Sequence, residues 1–304
     1  MGRITTRKKV VRITAATEGA DGAAVRRLDT LAVEEPLEIR VSGAPLTVTM
    51  RTPGHDVELA AGFLVSEGVI RHHDQFASAI HCGGPGTGGS AAAPGAYALG
   101  ASAADGGNTY NVLDVTLAPG TPLPDPSRAR HSYTTSACGV CGAASIEQVA
   151  TASAFDVSAD PLQVDAATLA DLPNALRSRQ EAFEKSGGLH AAGLYDAASG
   201  ELLVVREDVG RHNAVDKVIG WAVLNGHLPL TGTVLQVSGR ASFELVQKAV
   251  MAGIPMLSAV SAPSSLAVEM AESIGLTLVG FVRGASMNVY SRPERVREAV
   301  PAAV

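Results

Sequence analysis

The chain has 304 residues, 46% hydrophobic and 18% charged, which excludes global disorder and leaves room for two domains or one elaborated domain. Twenty-four Lys and Arg against 30 Asp and Glu give a net charge of −6, which argues against a nucleic-acid binder working through overall charge. Three cysteines do not make a disulfide scaffold, and the longest apolar runs, such as Leu59 to Val65, fall far short of a membrane span.

Residues 1–8 read as a disordered basic tail, with no apolar signal run behind it, so the expected location is cytoplasmic. Residues 9–126 read as a smaller α+β domain. Leu31 to Met50 alternate apolar and polar around Ser42-Gly43-Ala44-Pro45, a strand–turn–strand pattern. Asp56 to Glu67 places Leu59, Ala60, Phe63 and Leu64 at helical spacing, with Gly68 as a stop. Residues 83–108 turn to Gly, Ala and Ser with Asp105 as the one charge, a flexible insertion; its glycine run lacks the Lys-Ser/Thr ending of a phosphate loop. Asn111 to Leu117 alternates as a strand, and Pro119, Pro122, Pro124 and Pro126 form an extended connector that marks the domain boundary.

Residues 127–160 are a cysteine loop and connector, and residues 161–292 a second α/β domain. Ala166 to Lys185 reads as one helix with Asp165 as N-cap. His190 to Tyr195 and Glu201 to Arg206 form a hairpin. Helix 211–225, strand 233–238, helix 242–252, strand 256–261, helix 264–274 and strand 276–283 follow. This order predicts a three-layer α/β/α sandwich, with residues 293–304 as a tail.

The sharpest chemical feature is Cys138-Gly139-Val140-Cys141-Gly142. Zinc needs four ligands, and only Cys82 and scattered histidines remain to complete a site. Thioredoxin-type exchange expects a strand before the pair, and no apolar strand leads in. A buried, incidental pair fits poorly with the neighbouring glycines and polar lead-in. Sulfur carriage needs an accessible thiolate that holds a persulfide, with a second thiol near to discharge it. The loop suits that, although its chemistry alone does not choose among these. A zinc deaminase reading fails: Ala192 stands where His190 would need a Glu two residues on, and the cysteine pair precedes the histidine.

Five segments occur in order: Leu59 to Gly68, Cys138 to Gly142, Gly188 to Ala192, Glu207 to Lys217, and Gly280 to Arg283 with Asn288-Val289-Tyr290. Together they resemble the formate dehydrogenase accessory sulfurtransferase (FdhD) family over about residues 31–292. The resemblance implies a C-terminal domain similar to the cytidine deaminase fold and a homodimer. It implies a sulfurtransferase that takes sulfur from a cysteine desulfurase as a persulfide and passes it to bis-molybdopterin guanine dinucleotide for formate dehydrogenase. Cys138 then matches the persulfide position with Cys141 as partner, and Phe281, Val282, Arg283, Gly284, Ala285 and Ser286 match the cofactor segment. GDP would serve as a mimic of that ligand.

A ligand with pyrophosphates and guanines needs cations or helix N-termini. Gly210-Arg211-His212-Asn213 opens a helix, with Asn213 and Lys217 on one face; a solvated face is the plainer reading of Asp216 and Lys217. Ser238 and Arg240 end one strand and Arg283 another, where ligands sit in open α/β sheets. Asn288 can read a guanine edge or merely satisfy a turn, and His190 can be a ligand or a satisfied core histidine. The alternatives to sulfur transfer are a non-catalytic chaperone of the dinucleotide cofactor and a zinc module.

Overall fold

The computed structural model describes residues 3–17, 21–82, 111–124 and 153–298. The chain opens on a two-stranded antiparallel ribbon, β1 (Thr5–Thr14) with β2 (Ala23–Ala32). The expected tail is therefore a strand from Thr5 onward. Alternation in the short run 5–14 is broken by Arg7-Lys8-Lys9, which hides the strand from a hydrophobic pattern.

β3 (Glu35–Val41) and β4 (Ala44–Arg51) form the expected hairpin, with Ser42 and Gly43 at positive φ in the turn. They join β5 (Phe76–Cys82) and β6 (Val112–Leu117) in a four-stranded sheet of order β4-β3-β6-β5. Helix α1 (Asp56–Ser66) buries Leu59, Ala60, Leu64 and Val65. The 83–108 insertion lies outside the described residues.

The second part begins with a short strand, β7 (Val164–Asp165), and α2 (Ala166–Ser178). The single helix expected to residue 185 is instead two, because α3 (Glu181–Ser186) starts anew. The Glu207 carboxylate accepts the N–H groups of Ala182 and Phe183 at 2.9 and 2.7 Å, which an unbroken helix would give to residues 178 and 179. Asp165 does not cap α2 through its side chain; its carboxylate pairs with Arg297 at 3.0 Å.

A six-stranded sheet follows, of order β13-β12-β11-β10-β8-β9. Its strands are β8 (His190–Asp196), β9 (Glu201–Asp208), β10 (Thr233–Val237), β11 (Met256–Ala259), β12 (Thr277–Arg283) and β13 (Ser286–Ser291). β10, β11 and β12 are parallel, and β8 and β13 flank them antiparallel. Between them lie α4 (Arg211–Leu224), α5 (Phe243–Met251) and α6 (Ser265–Ile274). Alternate residues divide: Leu235, Val237, Leu257 and Leu278 join the core containing α4, α5 and α6, whereas Val234, Met256 and Val279 pack with Leu169 and Leu172 of α2. β13 is an addition to the expected elements.

The first core also takes in Leu37, Ile39, Leu59 and Leu113, so it runs unbroken across the proline connector. Its seam is the crossing of α1 on α4. A Cβ on Gly62 would lie 1.8 Å from the Asp216 carbonyl oxygen, and one on Gly220 1.7 Å from that of Glu58. Only glycine permits this approach.

Residues after 292 are not a tail up to 298. Pro293–Arg295 makes a helical turn and β14 (Val296–Arg297) pairs with β7. Arg295 is 3% exposed, and its guanidinium donates to the carbonyl oxygens of Val157, Ser158, Asp160, Pro255 and Gly275. No described helix is long and apolar enough to cross a membrane.

Candidate functional site

The mixed sheet gathers several expected residues at one end. β8 is antiparallel to β10, so its first residue, His190, meets the segment that leaves the carboxyl end of β10. The Ala191 N–H donates to Ser238 Oγ at 2.9 Å, and the Ser238 N–H to the Ala191 carbonyl at 3.0 Å. His190 also pairs in register with Asp208, where β9 turns into α4. The Ser261 N–H then bonds the Gly239 carbonyl, and the Phe281 N–H the Ser261 carbonyl. The ends of β10, β11 and β12 are thus tied in one row.

Arg211 stands over this row. A Cβ on Gly239 would lie 3.5 Å from His190 Nδ1 and 4.0 Å from Arg211 Cδ, so the three residues meet. Arg211 Nε is buried with no hydrogen-bond partner among the described residues. Such a group normally has a partner, so Arg211 Nε is an open donor among the described residues. Burial lowers the Arg211 pKa, and the nearby Arg240 charge adds to this, against Glu244. Gly210 caps α4 without a side chain, which leaves the first-turn N–H groups and the positive helix end to a ligand. A cavity of about 420 Å³ beneath is lined by Thr49, Phe63, Arg211, His212, Glu244 and Lys248. His190 borders it and also a second cavity of about 570 Å³ that holds Ser238, Arg177 and Phe183. His212 Nε2 lies 2.7 Å from the Glu244 carboxylate, which fixes the ring at the cavity wall.

Two expected ligands are structural instead. Lys217 is 1% exposed, pairs with the Asp208 carboxylate at 2.7 Å and donates to the Thr52 carbonyl at 3.0 Å. It faces the interior, neither ligand nor solvent. Asn213 borders the cavity but is committed: its Nδ2 donates to Met50 O and Asp208 Oδ1, and its Oδ1 accepts from Thr49. Asp216, also buried, pairs with Lys248 at 2.7 Å and accepts from Ser66. Burial pushes its carboxyl up against the opposing pull of Lys248.

The 281–286 segment is the β12–β13 turn. Phe281, Arg283, Gly284, Ala285, Ser286 and Asn288 are exposed. Val282 is fully buried against the α2 side of the sheet, so its side chain belongs to the core and not to a ligand. Phe281 has φ +52, beside a register shift between Gly280 and Arg283, and is 40% exposed. A left-handed phenylalanine costs about 1–3 kcal/mol and is held only where surroundings over-determine it. Arg283 Nε donates to Val260 O at 3.3 Å, and Asn288 lies 3.5 Å from the Tyr290 hydroxyl. Cys138 and Cys141 lie outside the described residues.

Thr49, Glu244 and Lys248 were not singled out in the sequence. The four-residue spacing of Glu244 and Lys248 on one helix face was their only signal.

The basic surroundings have a titratable consequence. Burial lowers the His190 pKa from its ordinary value of about 6.5, and the Arg211 and His212 charges lower it further, against Asp208. The unfolded chain protonates first as pH falls, so this residue costs stability below about pH 6.5 and nothing well above it. In an NMR titration, the His190 ring is expected to titrate below 6.5 and to rise when Arg211 is replaced by Gln. A value at or above 6.5 in the wild type contradicts the assigned environment.

The FdhD/NarQ family model matches residues 32–297. The chain is 54% identical over 297 residues to the sulfur carrier protein FdhD of Streptomyces avermitilis, covering 97% of each. It is 56% identical over 294 residues to that of Mycolicibacterium paratuberculosis, covering 97% of this chain and 99% of the relative. A crystal structure from Desulfotalea psychrophila, of a protein assigned as a formate dehydrogenase accessory protein, aligns with TM-score 0.69 and 21% identity over 97% of this chain and 100% of that one, a likeness of fold. By the extent of these matches, the chain belongs to the FdhD/NarQ family.

Proposed function

We propose that this chain is a sulfur carrier serving formate dehydrogenase. It receives sulfur from a cysteine desulfurase as a persulfide on Cys138 and transfers it to bis-molybdopterin guanine dinucleotide as substrate. Its relatives carry the name sulfur carrier protein FdhD. The observation that best supports an anionic dinucleotide ligand is Arg211: its Nε, at the Gly210-capped start of α4 and near the Arg240 charge, is buried and has no partner among the described residues. The exposed Phe281 and the turn to Ser286, further along the same row of strand ends, supply a base platform. In this reading the chain works in the cytoplasm as a homodimer, and helices on both faces of its six-stranded sheet form the three layers of a cytidine deaminase-like fold.

The sulfur steps balance. The Cys138 thiolate attacks the outer sulfur of the desulfurase persulfide, one S–S bond forms, one breaks, and the donor leaves as a thiolate. Attack of Cys141 on the Cys138 sulfur then closes a disulfide and releases the outer sulfur as sulfide. Sulfide replaces an oxygen ligand of the metal, which leaves as water, and a dithiol reductant reopens the disulfide.

The test uses wild type, Cys138→Ala and Arg211→Gln. After incubation with desulfurase and cysteine, wild type and Arg211→Gln are expected to gain a sulfur on the peptide bearing Cys138, read by mass spectrometry, and Cys138→Ala none. Both variants are expected to lose most activation of a formate dehydrogenase client. Absence of any sulfur adduct on free thiols in the wild type overturns the carrier reading. Full activation by a Cys138→Ala, Cys141→Ala double variant favours the cofactor chaperone.

A further inference from the structure

The β1–β2 ribbon is unlike the rest of the molecule. Its two ten-residue strands span about 33 Å and pair over their full length. Beyond their own pairing, their contacts concentrate on the short α3 helix. Opposed residues share a face, so one face carries Val11, Ile13 and Leu28 with Arg7, Lys9 and Arg26. The other carries Val10, Val25 and Leu31 with Lys8, Arg12 and Arg27. Val11, Ile13, Val25 and Leu28 are 54–76% exposed. A two-stranded hairpin is marginal in water on its own, and large apolar side chains open on both faces mark a surface built to be covered.

Charge says what covers it. Residues 1–32 hold seven of the 24 Lys and Arg and three of the 30 Asp and Glu, a net of +4, while residues 33–304 carry −10. A basic arm on an acidic body is complementary to a second copy of that body. A nucleic-acid backbone offers no dry patch for Ile13 or Leu28. A membrane would need one face free of charge, and both faces carry arginine or lysine.

We propose that the β1–β2 arm is the dimer contact of this protein, each copy laying its arm on the acidic body of the other. The contact is isologous and closes as a two-fold dimer. This rests on the reading of the chain as a homodimer and adds the surface that makes it. The arm's charges steer and orient, and its apolar residues supply the buried area.

The test compares the full chain with Val11→Glu, Ile13→Glu, Leu28→Glu by sedimentation velocity from about 0.1 to 100 μM. Wild type is expected to be a dimer that weakens about tenfold or more between 0.05 and 0.5 M NaCl. The variant is expected to be monomeric over at least a hundredfold range of concentration in which the wild type is paired, with an unchanged circular dichroism spectrum and a cooperative unfolding transition. A second measurement needs no substitution. Carbodiimide cross-linking of mixed ¹⁴N and ¹⁵N protein is expected to join Lys8 or Lys9 to Asp or Glu of the other copy, seen as mixed-isotope pairs. A dimer that ignores the triple substitution, with Lys8 and Lys9 linked only within their own chain, overturns the arm and leaves the homodimer standing. A monomeric wild type overturns both.

Discussion

Replacing Lys217 with methionine is expected to lower the unfolding free energy by about 3–5 kcal/mol, the usual cost of removing one partner of a buried ion pair. Methionine keeps most of the side-chain volume, so the loss is electrostatic and not a cavity. Lys217 and Asp208 are 1% and 0% exposed and 2.7 Å apart. Without the ammonium, Asp208 keeps the N–H donors of Thr52 and Gly210 and the amide of Asn213. Those three bonds favour the lower end of the range. The Thr52 and Glu207 carbonyls lose a donor as well. Urea unfolding with an unchanged m-value measures the effect. A change below about 1 kcal/mol would mean that Lys217 is not buried as described.

Gly220→Ala is expected to cost at least as much. The added methyl would stand 1.7 Å from the Glu58 carbonyl oxygen and 2.5 Å from its carbon, and backbone cannot step aside as a side-chain tip can. Helices α1 and α4 must separate by more than 1 Å along their crossing, opening gaps around Leu59, Val215 and Ile219 in the core. Overpacking commonly costs about 1–3 kcal/mol, and a clash between two backbones lies at or beyond the top of that range. Gly62→Ala, 1.8 Å from the Asp216 carbonyl oxygen, is expected to behave alike. Gly43→Ala is the control: open space surrounds it and only its positive φ opposes a side chain, so it is expected to lose about 1 kcal/mol. Thermal unfolding of the three variants side by side gives the order. Equal midpoints for Gly220→Ala and wild type would refute the close crossing.

These two results bear on what was legible in the sequence. Alternation and helical spacing were enough for the β3–β4 hairpin and α1, whereas β10 and β11, buried on both faces, read as short apolar runs between helical segments. They missed β1, whose side chains are exposed on both faces and so carry no burial pattern. They also joined α2 to α3, because the break is made by Glu207, remote in sequence. At the site, the end-of-strand rule pointed to Ser238, Arg240 and Arg283, and the structure places Ser238 against the Ala191 N–H beside His190. Residue type alone misled at Lys217 and Asn213, since a lysine beside a helix start looks like a phosphate ligand until its carboxylate partner is seen. Val282 was carried along with its segment, although strand parity turns it inward.

Arg295 has a consequence for how the polypeptide is made. Every carbonyl its guanidinium binds belongs to a residue translated earlier, from Val157 to Gly275. While the ribosome still holds residue 295, the oxygens of Val157, Asp160 and Gly275 wait for its guanidinium, whereas that of Pro255 already takes the Thr277 N–H. That clasp is therefore closed only after nearly the whole chain has emerged, and a released chain truncated just short of residue 295 keeps the strands from β8 to β13 without it.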